Sequence, residues 1–260
     1  MKSDHVRSLW LSPCPNDTFM FDGWVNGRTD REGLDVEVTY RDIEELNRAV
    51  REGIPDISKI SCALLPAIRG SYDLLACGAA LGRGNGPLLV CRSGDAARPL
   101  RRVAVPGLQT TACALLRRLF PEAEPVPLLF SEIAAAVERG GYDAGVLIHE
   151  GRFTYRRHRL ALVADLGLLW EERTGLPLPL GAIVIRRSLG PELKARAERV
   201  LRRSIAYAFD HPEASRPYVK THAREMDDAV IDSHIALFVN AYSLDLGAEG
   251  RRALEELAGI

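Results

Sequence analysis

Short β-branched runs alternate with amphipathic stretches through the first 190 residues, and this alternation limits the fold more than any other feature of the chain. "VRSLWL" (6–11), "LDVEVTY" (34–40), "DISKIS" (56–61), "YDLLAC" (72–77), "PLLVCR" (87–92), "RRVAVP" (101–106), "EPVPLLF" (124–130), "YDAGVLI" (142–148) and "GAIVIRR" (181–187) read as strands. Between them, "DIEELNRAVREG" reads as a helix with a capping box, Asp42 with Glu45. "TTACALLRRLF" and "SEIAAAVERG" also read as helices, the second capped by Ser131. Beyond residue 190 the apolar spacing turns helical, as in "IDSHIALFVNAYSL". The expectation is α/β layers with mainly parallel sheets and helices packed outside.

An internal echo suggests how the layers divide. "AVREGIPDISKIS" (49–61) matches "AVERGGYDAGVLI" (136–148) as A-V-x-x-G-x-x-D followed by a strand. Two α/β lobes on one plan would give this match; so would the common grammar of any helix–turn–strand unit. With boundaries near "LLVCRSG" and "LPLGAIVIRR", the chain crosses twice. Lobe one is then 1–92 plus 184–260, and lobe two is 93–183. Ligands of open α/β sheets bind beyond the carboxyl ends of the strands, so two facing lobes would form a cleft.

Composition removes several function classes. The formal net charge is −1, so no global field draws the chain to nucleic acid or anionic lipid. No stretch reads as a membrane span or a signal peptide, and a cytoplasmic protein is expected. Five cysteines are scattered at 14, 62, 77, 91 and 113, without CxxC or Cys/His metal spacing, which reads as reduced thiols. Of 34 basic residues only Lys2, Lys59, Lys194 and Lys220 are lysine. A lysine inside a motif is therefore informative, because Arg is the default cation here.

Four segments fall at strand ends. In "SPCPNDT" two prolines stiffen a turn that gathers Ser12, Cys14, Asn16, Asp17 and Thr18, and Asp17 can cap a helix starting at Thr18. In "SKIS" Lys59 sits between Ser58 and Ile60, and Ser61 could serve as a helix cap. In "PGLQTTACALL" Gly107 permits a tight turn before Thr110 and Thr111, whose hydroxyls and free N–H groups form an anion seat or a plain cap. In "VLIHEGRFTY" His149 ends an apolar strand, a usual place for a proton-transfer group, with Glu150 beside it. The other histidines stand out less: His5 is terminal, His158 lies among arginines, and His211, His222 and His234 fall in the helical tail. A thiol nucleophile, Cys14 or Cys62 with His149, lacks any local feature that lowers its pKa. The basic segment "GRFTYRRHR" reads as a solvated face rather than a nucleic-acid contact.

"SPCPNDTF" and "IHEGRFTY" together resemble the 1,4-dihydroxy-6-naphthoate synthase family of the futalosine route to menaquinone. "DISKIS", the "TTA" of "GLQTTACALL" and "HIALFVNAYSLDLGAEGRRAL" extend the resemblance over essentially the whole chain. It implies an α/β, two-lobed fold like the type II periplasmic binding proteins, with a central inter-lobe cleft. It implies a carbon–carbon lyase that converts cyclic dehypoxanthinyl futalosine to 1,4-dihydroxy-6-naphthoate and releases dihydroxyacetone. His149 maps to the proton acceptor. Lys59, Ile60, Ser61, Thr111 and Ala112 map to substrate contacts, with Ser58 and Thr110 adjacent. Asn16, Asp17 or Thr18 would face a sugar-derived part of the substrate. No metal or organic cofactor is implied, and the only partner is the small-molecule substrate, with no nucleic acid and no membrane. Chorismate dehydratase, the sister enzyme, lacks this pairing of P-N-D with I-H-E. A non-catalytic binding protein for an aromatic carboxylate would share the fold.

Overall fold

The computed structural model describes residues 6–96, 98–149, 151–223 and 227–259. Nine of its eleven strands lie within the runs that alternation marks, give or take a few residues: β1 (Arg7–Leu11), β2 (Val36–Tyr40), β3 (Ile57–Ser61), β4 (Tyr72–Leu74), β6 (Leu88–Arg92), β7 (Arg102–Val105), β8 (Glu124–Pro127), β9 (Ala144–Leu147) and β11 (Leu178–Arg186). Two carry no strong pattern of their own, β5 (Ala80–Gly82) and β10 (Leu160–Asp165). They pair into two sheets. One has the order β2-β1-β3-β11-β4 with β5 also on β11, and the other the order β10-β6-β9-β7-β8.

The sheets share one plan. In the first, β1 is parallel to both β2 and β3. In the second, β7 is parallel to both β8 and β9. A helix follows each of the first two strands of each unit: Pro15–Val25 and Ile43–Arg51 in one, Thr111–Leu119 and Phe130–Glu138 in the other. The A-V-x-x-G-x-x-D echo marks the same corner in both. Gly53 and Gly140 take left-handed backbone at φ +71° and +82°, where a side chain would be strained. Asp56 then accepts from the Ser8 N–H at 3.1 Å, and Asp143 from the Arg101 and Arg102 N–H groups at 3.0 and 2.8 Å. Each aspartate thus ties the neighbouring parallel strand at its start.

Neither sheet is wholly parallel. β11 runs antiparallel to β3, β4 and β5, and β6 runs antiparallel to β9 and β10. These are the strands on which the chain changes sheet, so they enter from the opposite direction. Their pairing also shifts both crossings from the expected positions. Residues 88–92 belong with the second sheet, not with lobe one, so the first crossing lies at 83–87. Residues 178–183 belong with the first sheet, so the expected boundary at 183/184 cuts through β11. An apolar strand carries no local mark of which sheet it will join; pairing decides that.

Local caps follow chemistry, with one shift. Asp42 and Glu45 close the expected capping box. Ser131 lies inside the first turn of its helix rather than at the cap, which falls on Leu129. The tail packs on lobe one. Ser204, on the helix Pro191–Asp210, donates to the Met20 carbonyl at 2.6 Å and accepts from the Trp24 N–H at 3.0 Å. The two helices approach so closely that a Cβ at Gly23 would stand 2.9 Å from the Ser204 Cα. The helix Asp228–Phe238 crosses the same first helix and carries His234 toward the cleft. Among the described residues no helix is long and apolar enough to cross a membrane.

Candidate active site

The carboxyl ends of β1, β3, β7 and β9, equivalent in pairs under the shared plan, converge on one cleft that opens to solvent. Of the expected residues, Asn16, Lys59, Ser61, Thr110, Thr111, Ala112 and His149 line it.

After β1 the helix starts at Pro15, where a missing N–H costs nothing and φ is preset. Cys14, not Asp17, occupies the cap position, so the expected start at Thr18 moves three residues earlier. Asp17 is fully buried in the first turn. One carboxylate oxygen accepts from the Ser12 hydroxyl at 2.7 Å; the other accepts from Asn16 Nδ2 at 2.8 Å and from Lys59 Nζ at 2.5 Å. Thr18 turns its hydroxyl back to the Cys14 carbonyl at 3.1 Å. Asn16 alone of the three lines the cleft, on a base built by the other two.

Strand alternation decides the next four residues. Lys59 and Ser61 face the cleft, whereas Ile60 is buried in the core and Ser58 donates to the Lys59 carbonyl at 2.9 Å. Neither Ser58 nor Ile60 lines the cavity, so a ligand contact at Ile60 falls to its main chain. Ser61 is no side-chain cap: Asn47 Nδ2 donates to its hydroxyl at 3.0 Å. The Lys59 stem runs over Gly181, where a Cβ would stand 2.4 Å from Lys59 Cε. A buried ammonium needs a partner, and Asp17 supplies it.

Thr110 caps the helix Thr111–Leu119 by accepting from the Cys113 N–H at 3.2 Å, and donates to the Gly107 carbonyl at 2.8 Å. The Thr111 hydroxyl donates to the Leu180 carbonyl at 3.0 Å and accepts from the Ala63 N–H at 3.3 Å. Both hydroxyls therefore already serve the fold. The N–H groups of Thr111 and Ala112 lie in the first turn, where helix geometry supplies no intrahelical acceptor, so a ligand at this end would meet them. Glu44 reaches across from lobe one and accepts from the Leu108 and Gln109 N–H groups at 3.1 and 3.4 Å.

β9 stops at Leu147, and His149 stands in the following turn with left-handed backbone, φ +52°. Glu150 lies outside the described residues. The Phe130 ring meets the His149 ring edge-on at 5.3 Å, and the His234 ring lies nearly parallel to it at 5.8 Å, 17° between planes.

His234, unremarkable in the helical tail of the sequence, joins the site through its contacts to Asn16 and His149. It is 1% exposed, and its Nε2 lies 3.0 Å from Asn16 Oδ1. Because the Asn16 amide nitrogen donates to Asp17, Asn16 presents its oxygen to His234, and Nε2 must carry the proton. Nδ1 is buried without a hydrogen-bond partner among the described residues. Burial, then His149 and Lys59 nearby, hold this imidazole well below the ordinary pKa of 6.5, so it is neutral. Only the quoted "HIALFVNAYSL" segment signalled it, and the helical pattern there gave no reason to single out one residue. Arg152, expected to face solvent with its basic segment, instead lines the cleft beside Gly86. Burial pushes the Cys62 thiol up to about 12, with Lys59 only partly offsetting it, which leaves no nucleophile there. Among the described residues, no group of three or more His, Cys, Asp or Glu could hold a metal ion.

In sequence and in fold the chain is similar to known proteins. Residues 8–260 match the family described as menaquinone biosynthesis. The chain is 47% identical over 249 residues to the 1,4-dihydroxy-6-naphthoate synthase of Thermus thermophilus, covering 96% of this chain and 91% of that one. It is 47% identical over 263 residues to the enzyme of the same name from Streptomyces coelicolor, covering 99% and 93%. A solved Archaeoglobus fulgidus protein superposes with a TM-score of 0.92 at 34% identity over 98% of this chain and 96% of that one. A Candida albicans protein described as having the generic periplasmic binding protein fold superposes at 0.72, with 12% identity, over 98% and 91%, which speaks to fold alone. The two-lobed α/β chain has the periplasmic-binding-protein-like fold and belongs to the menaquinone biosynthesis family that includes both 1,4-dihydroxy-6-naphthoate synthases.

Proposed function

We propose that the cleft converts cyclic dehypoxanthinyl futalosine to 1,4-dihydroxy-6-naphthoate with release of dihydroxyacetone, a carbon–carbon lyase reaction of the futalosine route. The observation that carries this reading is the meeting of His149 with Lys59, Ser61 and the helix start at Thr111 around one cavity, in a chain 47% identical to two synthases of that name. Such a fragmentation needs a proton taken from a carbon beside an electron sink, after which aromatisation draws the reaction forward. His149 is the proton acceptor: a histidine's ordinary pKa of about 6.5 suits a base near neutral pH. The open N–H groups of Thr111 and Ala112 receive the carboxylate. Lys59 and Asn16 meet oxygens of the sugar-derived part, held rigid by Asp17 so that little freedom is lost on binding. The reaction as proposed draws on no metal or organic cofactor. Five cysteines, all buried and none in a disulfide, fit the reducing cytoplasm.

Purified protein incubated with cyclic dehypoxanthinyl futalosine should yield a naphthoate chromophore and, in equal amount, dihydroxyacetone, both resolved by chromatography. Tight binding of the substrate without either product would make the chain a binding protein. Dehydration of chorismate instead would place it with the sister enzyme.

A further inference from the structure

We propose that Arg152 is a positioning residue for His149, clasping the turn that carries the histidine to the first crossing between lobes and to the cap of the helix that leads to the second. The inference rests on the reading of His149 as the reacting group.

Arg152 lies three residues after His149, and its N–H donates to the His149 carbonyl at 3.3 Å. Its guanidinium is fixed at two points. Nη1 donates to the Gly86 carbonyl at 2.6 Å, and Nη2 to Asp165 Oδ2 at 2.6 Å. Gly86 belongs to the first crossing, between β5 and β6. Asp165 ends β10 and caps the helix Leu166–Thr174, which leads to the second crossing, by accepting from the Gly167 and Leu168 N–H groups at 3.0 and 3.1 Å. The first crossing is itself in backbone contact with the start of this helix. A Cβ on Gly86 would stand 2.2 Å from Gly167 Cα, and the Leu166 N–H donates to the Pro87 carbonyl at 3.0 Å. One planar fork therefore joins the segment carrying Arg152 to the first crossing, 66 residues away, and to the end of β10, 13 residues on.

The turn needs such a hold. A non-glycine residue in left-handed backbone persists only where its surroundings over-determine it, and His149 sits at φ +52°. The ring contacts from Phe130 and His234 fix its side chain from lobe two and lobe one, while Arg152 fixes the main chain. The arrangement also ties the place of the base to the segments that must bend if the lobes move. A lysine cannot reproduce two divergent N–H bonds from a rigid plane.

The test uses the full chain. Arg152→Met and Asp165→Asn should each lower kcat by about 10- to 100-fold, the scale of a misplaced catalytic group, with little change in KM. Asn still caps a helix, so Asp165→Asn removes the clasp without the cap and serves where Arg152→Met does not fold. Arg152→Lys should remain impaired, and added guanidinium should restore part of the activity of Arg152→Ala. In spectra of 13C-histidine-labelled protein without ligand, the His149 signal, assigned from His149→Asn, should shift or broaden in both clasp variants. That arm needs no turnover, so it separates failure of the clasp from failure of the proposed reaction. A raised KM at unchanged kcat would make Arg152 a substrate contact, and full activity in Arg152→Lys or an unmoved His149 signal would equally overturn the proposal.

Discussion

The units β1–β3 and β7–β9 have the same strand order and the same glycine–aspartate corner, yet they deliver their polar groups differently. In lobe one the polar residues lie within the central strand itself. β3 is buried along its length between β1 and β11, and Lys59 survives there only by pairing with Asp17. In lobe two the central strand is "AGVL", wholly apolar, and the polar residue comes two positions after it ends. The first arrangement fixes a cation rigidly at the cost of a buried charge. The second frees an imidazole from strand geometry and places it on a turn held by its neighbours. One plan thus yields a fixed electrostatic wall and, opposite it, the imidazole proposed as the base.

The contrast breaks most sharply at His149. His149→Asn should fold with near wild-type stability and still bind ligand, but lose kcat by about 10²–10⁴-fold, the usual contribution of a general base. Turnover near the wild-type level in that variant would remove the asymmetry between the lobes. Lys59→Met should do the reverse to stability: leaving Asp17 buried and unpaired should cost about 3–5 kcal/mol in urea unfolding. Adding Asp17→Asn to it should recover part of that loss, and an unpaired Lys59→Met protein as stable as wild type would show that the pair is not what holds this wall.

Smaller effects sharpen the comparison. His234 bridges the two walls, touching Asn16 on one side and the His149 ring on the other. Its folded pKa is depressed below 6.5, so the unfolded chain binds the extra proton first. Stability is then complete above 6.5 and falls as the pH drops below it. His234→Phe keeps an aromatic shelf and should flatten that slope of melting temperature against pH; an unchanged slope would assign the acid sensitivity elsewhere. Thr111→Val should show the least, about 1 kcal/mol of stability from the lost hydroxyl bridge between Leu180 and Ala63, with ligand affinity nearly kept because the seat is made of N–H groups. A large loss of affinity at unchanged stability would return the hydroxyl to the ligand.

Sequence alone determined what local physics controls. Alternating runs marked nine of the strands, the Asp42–Glu45 box marked a helix start, and the repeated A-V-x-x-G-x-x-D corner suggested two units on one plan, because each follows from residues a few positions apart. The same locality exposed Lys59, Thr110, Thr111 and His149 as strand-end residues. What the tertiary structure decided is everything carried by pairing between distant segments. It assigned Leu88–Arg92 and Leu178–Arg186 to their sheets, since hydrogen-bonded registers are set across the fold rather than along the chain. It turned Asp17 from an expected cap into the partner of Lys59, and turned the Thr111 hydroxyl inward. It brought His234 from 218 residues away to Asn16, and Arg152 to Gly86 and Asp165. A helical histidine and an arginine in a basic run look ordinary in one dimension; burial and the scarcity of partners inside a folded chain give them their places.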